Sequence, residues 1–267
     1  MVGAVDGGGP HAGPGGPDPL VARLRAAGCV YAEDEAAALR ELPARRLEAA
    51  VVRRASGEPL EHVLGWVDIG GLRLAIEPGV FVPRQRTLLL VDEAARLTPP
   101  GSRVLDLCCG CGAVGRLLAE RVPGLDLDAA DVDARAVAVA RRNLAPVGGR
   151  AWCGDLVDPL PAALRGRLAT ITANVPYVPS GAEHLVPGDL RAAEPRFTRD
   201  GGDDGLDVLR RVAAIVATWL APGGHLLSEV AEHQVPEALT VLEAAGLVPA
   251  HLVDEDGTAV VTGARRA

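Results

Sequence analysis

A short apolar run leads directly into a glycine turn in the stretch Val104-Leu105-Asp106-Leu107-Cys108-Cys109-Gly110-Cys111-Gly112. The apolar residues predict a buried β-strand over residues 103–108, and a helical pattern over residues 113–122 follows the turn. Glycine lets the backbone approach a ligand closely, and the first turn of a helix supplies free N–H groups. This strand-turn-helix unit predicts an α/β fold with a ligand at the turn.

Strand and helix patterns alternate along the chain from this unit onward. The predicted strands are 103–108, 125–131, 149–154, 168–173 and 224–230, and the predicted helices are 113–122, 134–144, 204–220 and 235–245. A final pair of strands, 247–253 and 258–262, flanks a turn and adds a hairpin with one antiparallel strand at the sheet edge. The expected fold is therefore α/β, with a Rossmann-like, mostly parallel sheet that binds ligands at the carboxyl ends of its strands.

Composition divides the chain into four segments. Residues 1–18 are rich in Gly and Pro and are expected to be disordered. Residues 19–56 carry apolar residues at three-to-four-residue steps, which predicts a small helical domain. Frequent Gly and Pro residues predict a hairpin-containing linker over residues 57–82. Residues 83–267 then form the α/β domain.

Charge and cysteine usage exclude several classes of function. The net charge of −8 disfavours a nucleic-acid partner. The sequence shows no apolar leader and no run of 18 apolar residues, so we expect a cytoplasmic protein without a membrane partner. Cys108, Cys109 and Cys111 are too closely spaced for a usual zinc or disulfide framework, and no metal site is expected.

Acidic residues at the ends of the predicted strands indicate which ligand the turn binds. Asp106 would repel a pyrophosphate but can hold the ammonium group of a methionine moiety beside Gly110 and Gly112. Asp131 ends the next strand, where a carboxylate accepts hydrogen bonds from ribose hydroxyls. Asp155 ends the third strand and can meet an adenine amine. The alternatives are helix capping for Asp133 or Asp131 and a turn for Asp155.

The fourth strand ends in an unusual sequence, Ala173-Asn174-Val175-Pro176-Tyr177-Val178-Pro179. The Asn174 side-chain oxygen and the backbone carbonyl of Val175 can accept the two N–H groups of a planar NH₂. Pro176 stiffens the loop, and Tyr177 can stack on a flat amide or base. Asn174 then borders both the substrate nitrogen and the methyl sulfonium of the cofactor. These four residues are the predicted catalytic residues.

Residues 45–262 resemble the HemK/PrmC protein-(glutamine-N5) methyltransferases in seven ordered blocks. The shared residues include Gly57-Glu58-Pro59-Leu60, Val82-Pro83-Arg84 with Thr87, the cofactor turn, Asn174 with Pro176-Tyr177, Glu194-Pro195, the glycines 201, 202 and 205, and Glu229 with Gln234. The resemblance implies S-adenosylmethionine as cofactor and a glutamine in the Gly-Gly-Gln loop of a peptide-chain release factor as substrate. It also implies that the helical domain grips that protein.

The sequence departs from the family at two places near the expected site. Val175 replaces the first Pro of Asn-Pro-Pro-Tyr, and Gln85, Arg86 and Leu88 replace a Pro and acidic residues. These departures leave open a catalytically silent cofactor-binding paralogue. A methyltransferase for an exocyclic amine of a nucleic-acid base is a second alternative, because such enzymes resemble this sequence around residues 174–177. A nicotinamide dehydrogenase is a further alternative because Gly115 completes a G-x-G-x-x-G pattern.

Overall fold

The computed structural model describes residues 18–185 and 188–267, which form two compact units divided between Leu64 and Gly65. The expected disordered segment, residues 1–18, lies outside the described residues except for Asp18. The stretch expected as a linker, residues 57–82, is divided between the units. Residues 60–64 are helical in the first unit, and the expected hairpin belongs to the second.

The described residues of the first unit form four helices, α1 (Pro19–Ala26), α2 (Ala32–Arg40), α3 (Ala44–Ala55) and α4 (Leu60–Leu64). The carboxylate of Asp18 accepts a hydrogen bond from the Leu20 N–H at 3.0 Å and so caps α1. Leu24 and Leu39 are fully buried. The Arg54 guanidinium donates two bonds to the Glu35 carboxylate, at 2.6 and 2.9 Å, which ties α3 to α2.

The second unit begins with a hairpin of β1 (Trp66–Ile69) and β2 (Leu72–Ala75), followed by α5 (Leu88–Leu97). Its sheet strands are β3 (Arg103–Leu107), β4 (Asp126–Asp131), β5 (Arg150–Cys153), β6 (Leu168–Ala173), β7 (Leu220–Ala231), β8 (Val248–Val253) and β9 (Thr258–Ala264). Its remaining helices are α6 (Ala113–Arg121), α7 (Ala134–Leu144), α8 (Gly188–Ala193), α9 (Asp207–Val216) and α10 (Val235–Ala244).

The seven strands of the sheet have the order β5-β4-β3-β6-β7-β9-β8. The first five are parallel, whereas β9 runs antiparallel to both β7 and β8. This order confirms the predicted mostly parallel sheet with a C-terminal hairpin. The direction of strand addition reverses at β3, since β4 lies on one side of it and β6 on the other. A crevice forms at such a reversal, outside the carboxyl ends of the strands.

Two hydrophobic cores cover the two faces of the sheet. The first contains buried residues of α5, α6 and α7, and the second contains those of α9 and α10. Strands such as β6 lie between the two cores and are buried on both faces, as is typical of parallel strands that are covered by helices on both sides. The unit is thus a three-layer sandwich that holds the ends of β3, β4 and β6 in fixed positions.

The bounds of two elements differ by several residues from those expected. The helix expected over 204–220 is restricted to 207–216, because Gly205 has a φ of +82° and the Asp204 side chain accepts a bond from Leu206 N–H. The strand expected over 224–230 begins at Leu220, and a shift of register near Leu168 accommodates its early start. Helix α5 was not expected. No helix of the described residues is long and apolar enough to cross a membrane.

Candidate active site

Asp106 is a buried carboxyl in the strand that precedes the glycine turn. Pairing of β3 with β6 places it opposite Thr172, whose hydroxyl donates to Asp106 Oδ1 at 3.0 Å. The Gly115 N–H of α6 donates to Oδ2 at 2.9 Å. Burial raises the pKa of Asp106 to about 7, although both hydrogen bonds oppose the rise. The residue lines a pocket, where the ammonium of a methionine moiety would favour its ionised form.

The raised pKa of Asp106 predicts a pH-dependent effect of Asp106→Asn on stability. The folded protein holds the proton to about pH 7, whereas the unfolded chain releases it near pH 4. The carboxyl therefore lowers stability progressively between pH 4 and 7, by up to about 4 kcal/mol. The amide avoids this loss, so in ligand-free protein the excess of its melting temperature over that of the parent should grow from pH 4 to about pH 7 and stay constant above pH 7. A difference independent of pH would contradict the assignment.

Asp131 fixes the glycine turn from the end of β4. Its Oδ2 accepts a hydrogen bond from Gly110 N–H at 2.8 Å, and its Oδ1 accepts one from Asp133 N–H at 2.9 Å. Each carboxylate oxygen has a second lone pair, which can accept from a ligand hydroxyl. The Asp133 side chain separately caps α7 by accepting from Arg135 N–H. Asp133, and not Asp131, is therefore the residue that caps the helix. The Asp131 carboxylate keeps lone pairs that a ligand can use.

The turn itself has a backbone that only a few residues adopt readily. Cys108, Gly110 and Gly112 have φ values of +53°, +53° and +81°. A Cβ at Gly112 would lie 3.2 Å from the Cβ of Ala140, so glycine allows the close packing of the turn against α7. Of these three residues Cys108 alone is not a glycine, so its positive φ is strained, and it lines the pocket.

Most of the predicted site residues lie around one pocket at the carboxyl ends of β3, β4 and β6. Its lining includes Asp106, Gly110, Asp131, Asn174, Val175, Pro176 and Tyr177. Gly112 adjoins it through Cys111 and Ala113. Asp155 lines an adjoining depression that also contains Asp131, and it accepts a hydrogen bond from Arg211 at 2.5 Å. Phe197 lines both the pocket and the adjoining depression.

Asn174 follows β6 and extends its side chain toward the neighbouring strand β7. Its Nδ2 lies 3.3 Å from Thr87 Oγ1 and 3.4 Å from Glu229 Oε2. The Tyr177 hydroxyl donates to Glu229 Oε1 at 2.9 Å. Burial raises the pKa of Tyr177, and the adjacent Glu229 carboxylate raises it further, so this hydroxyl stays protonated and remains a donor.

The backbone of the Asn174–Tyr177 loop is supported from behind by Gln234. Its Nε2 donates to the carbonyls of Tyr177 and Asp204, both at 2.9 Å, and its Oε1 accepts from Ala231 N–H at 3.0 Å. Gly205 packs so closely against this arrangement that a Cβ there would lie 2.3 Å from both Gln234 Nε2 and the Tyr177 carbonyl oxygen. The glycines of this segment therefore hold the loop in position.

Three residues around Asn174 had no role assigned from the sequence. Thr87 and Glu229 belong to the blocks that resemble the family, and Phe197, which also lines the pocket, lies outside those blocks. Alignment of β6 with β7 offers a signal, since Thr172 pairs with Leu227 and the register brings Asn174 beside Glu229. No comparable signal exists for Thr87, which precedes the unexpected helix α5.

The cysteines of the turn contribute packing. Cys109 and Cys111 are buried, and burial raises the pKa of both thiols. Within residues 18–185 and 188–267, no group of three or more His, Cys, Asp or Glu side chains is placed to hold a metal ion.

Comparison with known proteins defines the class of this fold and site. Residues 72–186 match the family model of the methyltransferase small domain. A methyltransferase from Pyrococcus furiosus has a similar fold, with a TM-score of 0.57 and 16% identity over 82% of this chain and 98% of that one. The predicted class, a methyltransferase with S-adenosylmethionine as cofactor, is confirmed.

The particular family follows from curated relatives. The chain is 33% identical to the release factor glutamine methyltransferase of Geobacter sulfurreducens, over 80% of this chain and 76% of the relative. It is 38% identical to the enzyme of the same name from Bordetella pertussis, over 80% and 77%. The chain belongs to the release factor glutamine methyltransferase family.

Proposed function

We propose that this protein transfers the methyl group of S-adenosylmethionine to the side-chain amide nitrogen of a glutamine in a peptide-chain release factor. The observation that carries the proposal is the orientation of Asn174. Its nitrogen faces Thr87 and Glu229, which leaves its oxygen to accept an N–H of the substrate. The Val175 carbonyl supplies the second acceptor that a primary amide requires.

The residues of the pocket position the reacting nitrogen. S-adenosylmethionine supplies an electrophilic methyl group when it is bound. Asn174 and the Val175 carbonyl would accept both N–H groups of the substrate, which fixes the amide plane and turns one face of its nitrogen toward that methyl group. With the cofactor bound, this arrangement would aim the nitrogen lone pair at the methyl carbon, S-adenosylhomocysteine would be the leaving group, and the proton released on N-methylation would pass to water. The contribution of the protein is positioning and charge stabilisation.

Asp131 is the residue we expect to hold the ribose of the cofactor. Asp131→Ala should weaken binding of S-adenosylhomocysteine about tenfold to a hundredfold, the scale for losing charge-assisted hydrogen bonds. Titration calorimetry measures the effect, with Asp254→Ala as the control, because Asp254 also accepts from two backbone N–H groups but lies in the turn between β8 and β9 and does not line the pocket. Equal affinities of Asp131→Ala and the parent would place the ribose elsewhere.

The release factor as partner is supported by the family and by the charge of the chain. Relatives that align with four fifths of this chain carry the name release factor glutamine methyltransferase. A net charge of −8 disfavours a polyanionic substrate. The proposal includes a cytoplasmic location, because release factors act where ribosomes translate.

Transfer of labelled methyl groups to purified proteins tests the proposal. The substrate is a cognate release factor, and the matched control is the same factor with the loop glutamine replaced by glutamate, which has no N–H to offer. We expect label on the parent factor and none on the control. Equal labelling of both factors, or label only on added RNA or DNA, would contradict the proposal.

A further inference from the structure

Glu229 is a buried carboxylate that contacts four side chains of the site. Its Oε1 accepts from Tyr177 Oη at 2.9 Å and from Arg86 Nε at 3.1 Å. Its Oε2 accepts from Thr87 Oγ1 at 2.8 Å and lies 3.4 Å from Asn174 Nδ2. The side chain is 2% exposed, so these groups replace water as its hydrogen-bond partners.

The two ends of the Asn174 amide differ in what they can do beside this carboxylate. A carboxylate only accepts hydrogen bonds, so the NH₂ end of Asn174 is favoured next to Glu229 Oε2 and the oxygen end is repelled. An unpaired acceptor beside a buried charge is also costly to desolvate. Glu229 therefore selects one of two amide orientations that are almost identical in shape.

We infer that Glu229 is a positioning residue that fixes the amide of Asn174 so that its oxygen faces the substrate. The inference rests on the proposed function, in which that oxygen accepts the substrate N–H. Arg86 compensates the negative charge of Glu229, because its half-exposed guanidinium forms an ion pair with that carboxylate.

The substitution Glu229→Gln reverses the selection without changing the size of the side chain. Arg86 and Tyr177 are donors, so the new amide must place its oxygen beside them, at the former Oε1 position. Its nitrogen then faces Asn174, where two NH₂ groups oppose each other. Asn174 relieves this conflict by turning, which directs its own NH₂ toward the substrate and removes the acceptor.

A swap of the two groups restores the original polarity. Asn174→Asp combined with Glu229→Gln exchanges the two groups, so that one carboxylate and one amide still face each other. The Gln nitrogen donates to one Asp oxygen, and the other Asp oxygen faces the pocket as an acceptor. Asn174→Asp alone instead sets two carboxylates against each other, which is unfavourable.

Steady-state methylation of the release factor by the parent, both single variants and the double variant tests the inference. We expect each single variant to lose about tenfold to a hundredfold in kcat, with affinity for S-adenosylhomocysteine within about twofold. The double variant should regain about tenfold over the better single variant. Glu232→Gln, an exposed carboxylate near the end of the same strand, is the matched control and should behave as the parent.

Full turnover in Glu229→Gln overturns the inference. A folded double variant that is no more active than the two single variants also overturns it. If Glu229→Gln fails to fold, Thr87→Ser and Thr87→Val provide the test, because only Ser keeps the hydroxyl that contacts both Glu229 and Asn174. Ser should retain activity and Val should lose about tenfold, and equal activities overturn the inference. Full activity of Asn174→Ala would instead defeat the proposed function itself.

Discussion

Replacement of Asn174 by alanine is expected to lower kcat for methyl transfer by at least about a hundredfold, the scale for removing one positioned hydrogen-bond partner from a transition state. The residue follows β6 directly, and its nitrogen is held by Thr87 and Glu229. Its oxygen is assigned to the substrate amide. Loss of that acceptor frees the substrate nitrogen to rotate away from the methyl group, so chemistry slows even when both substrates are bound.

Single-turnover methylation and calorimetry together measure this effect. Binding of S-adenosylhomocysteine should stay within about twofold of the parent, because Asp131 and the glycine turn remain intact. A parallel loss of cofactor affinity would mean that Asn174 contacts the cofactor and not the substrate amide. Unchanged turnover would show that the methyl transfer takes place elsewhere.

Replacement of Gly205 by alanine is expected to lower the free energy of unfolding by about 2–3 kcal/mol and kcat by about tenfold. A φ of +82° costs an L-residue about 1–2 kcal/mol. The added Cβ would also lie 2.3 Å from the Gln234 Nε2 and Tyr177 oxygen atoms, which are hydrogen-bonded to each other. Separating that pair costs about 1 kcal/mol more and shifts the catalytic loop.

Gly246→Ala is the matched control for this prediction. Gly246 has a φ of +79°, and nothing lies within 4 Å of its added Cβ. Urea unfolding should therefore show only the backbone penalty of about 1–2 kcal/mol, and turnover should be unchanged. Equal stability losses in the two variants would mean that the contact between Gly205 and Gln234 does not support the loop.

The order of strands and helices could be predicted because each carries its own pattern. Apolar runs such as residues 168–173 and the glycine turn after residue 107 specify local structure without reference to distant residues. The limits of α9 could not be predicted, since they depend on the turn that Asp204 and Gly205 form before it. Helix α5 precedes the first sheet strand and the short helix α8 lies between β6 and α9, so both fall outside the alternation that predicted α6, α7, α9 and α10.

The candidate site was accessible from sequence where its residues end strands. Asp106, Asp131 and Asn174 could be placed together because parallel strands end at one edge of the sheet. The partners of Asn174 come from segments 87 and 55 residues away in sequence, Thr87 and Glu229. Their convergence depends on packing of the chain that precedes α5 against the end of β7, which no local pattern encodes.

Mass spectrometry of release factors from cells with and without this gene tests the central claim most directly. The proposed function predicts that the glutamine of the Gly-Gly-Gln loop carries one methyl group in the parent strain and none in the deletion strain. Restoration by the parent gene, but not by the Asn174→Ala gene, would link the modification to this site. A glutamine that stays fully methylated in the deletion strain would contradict the claim.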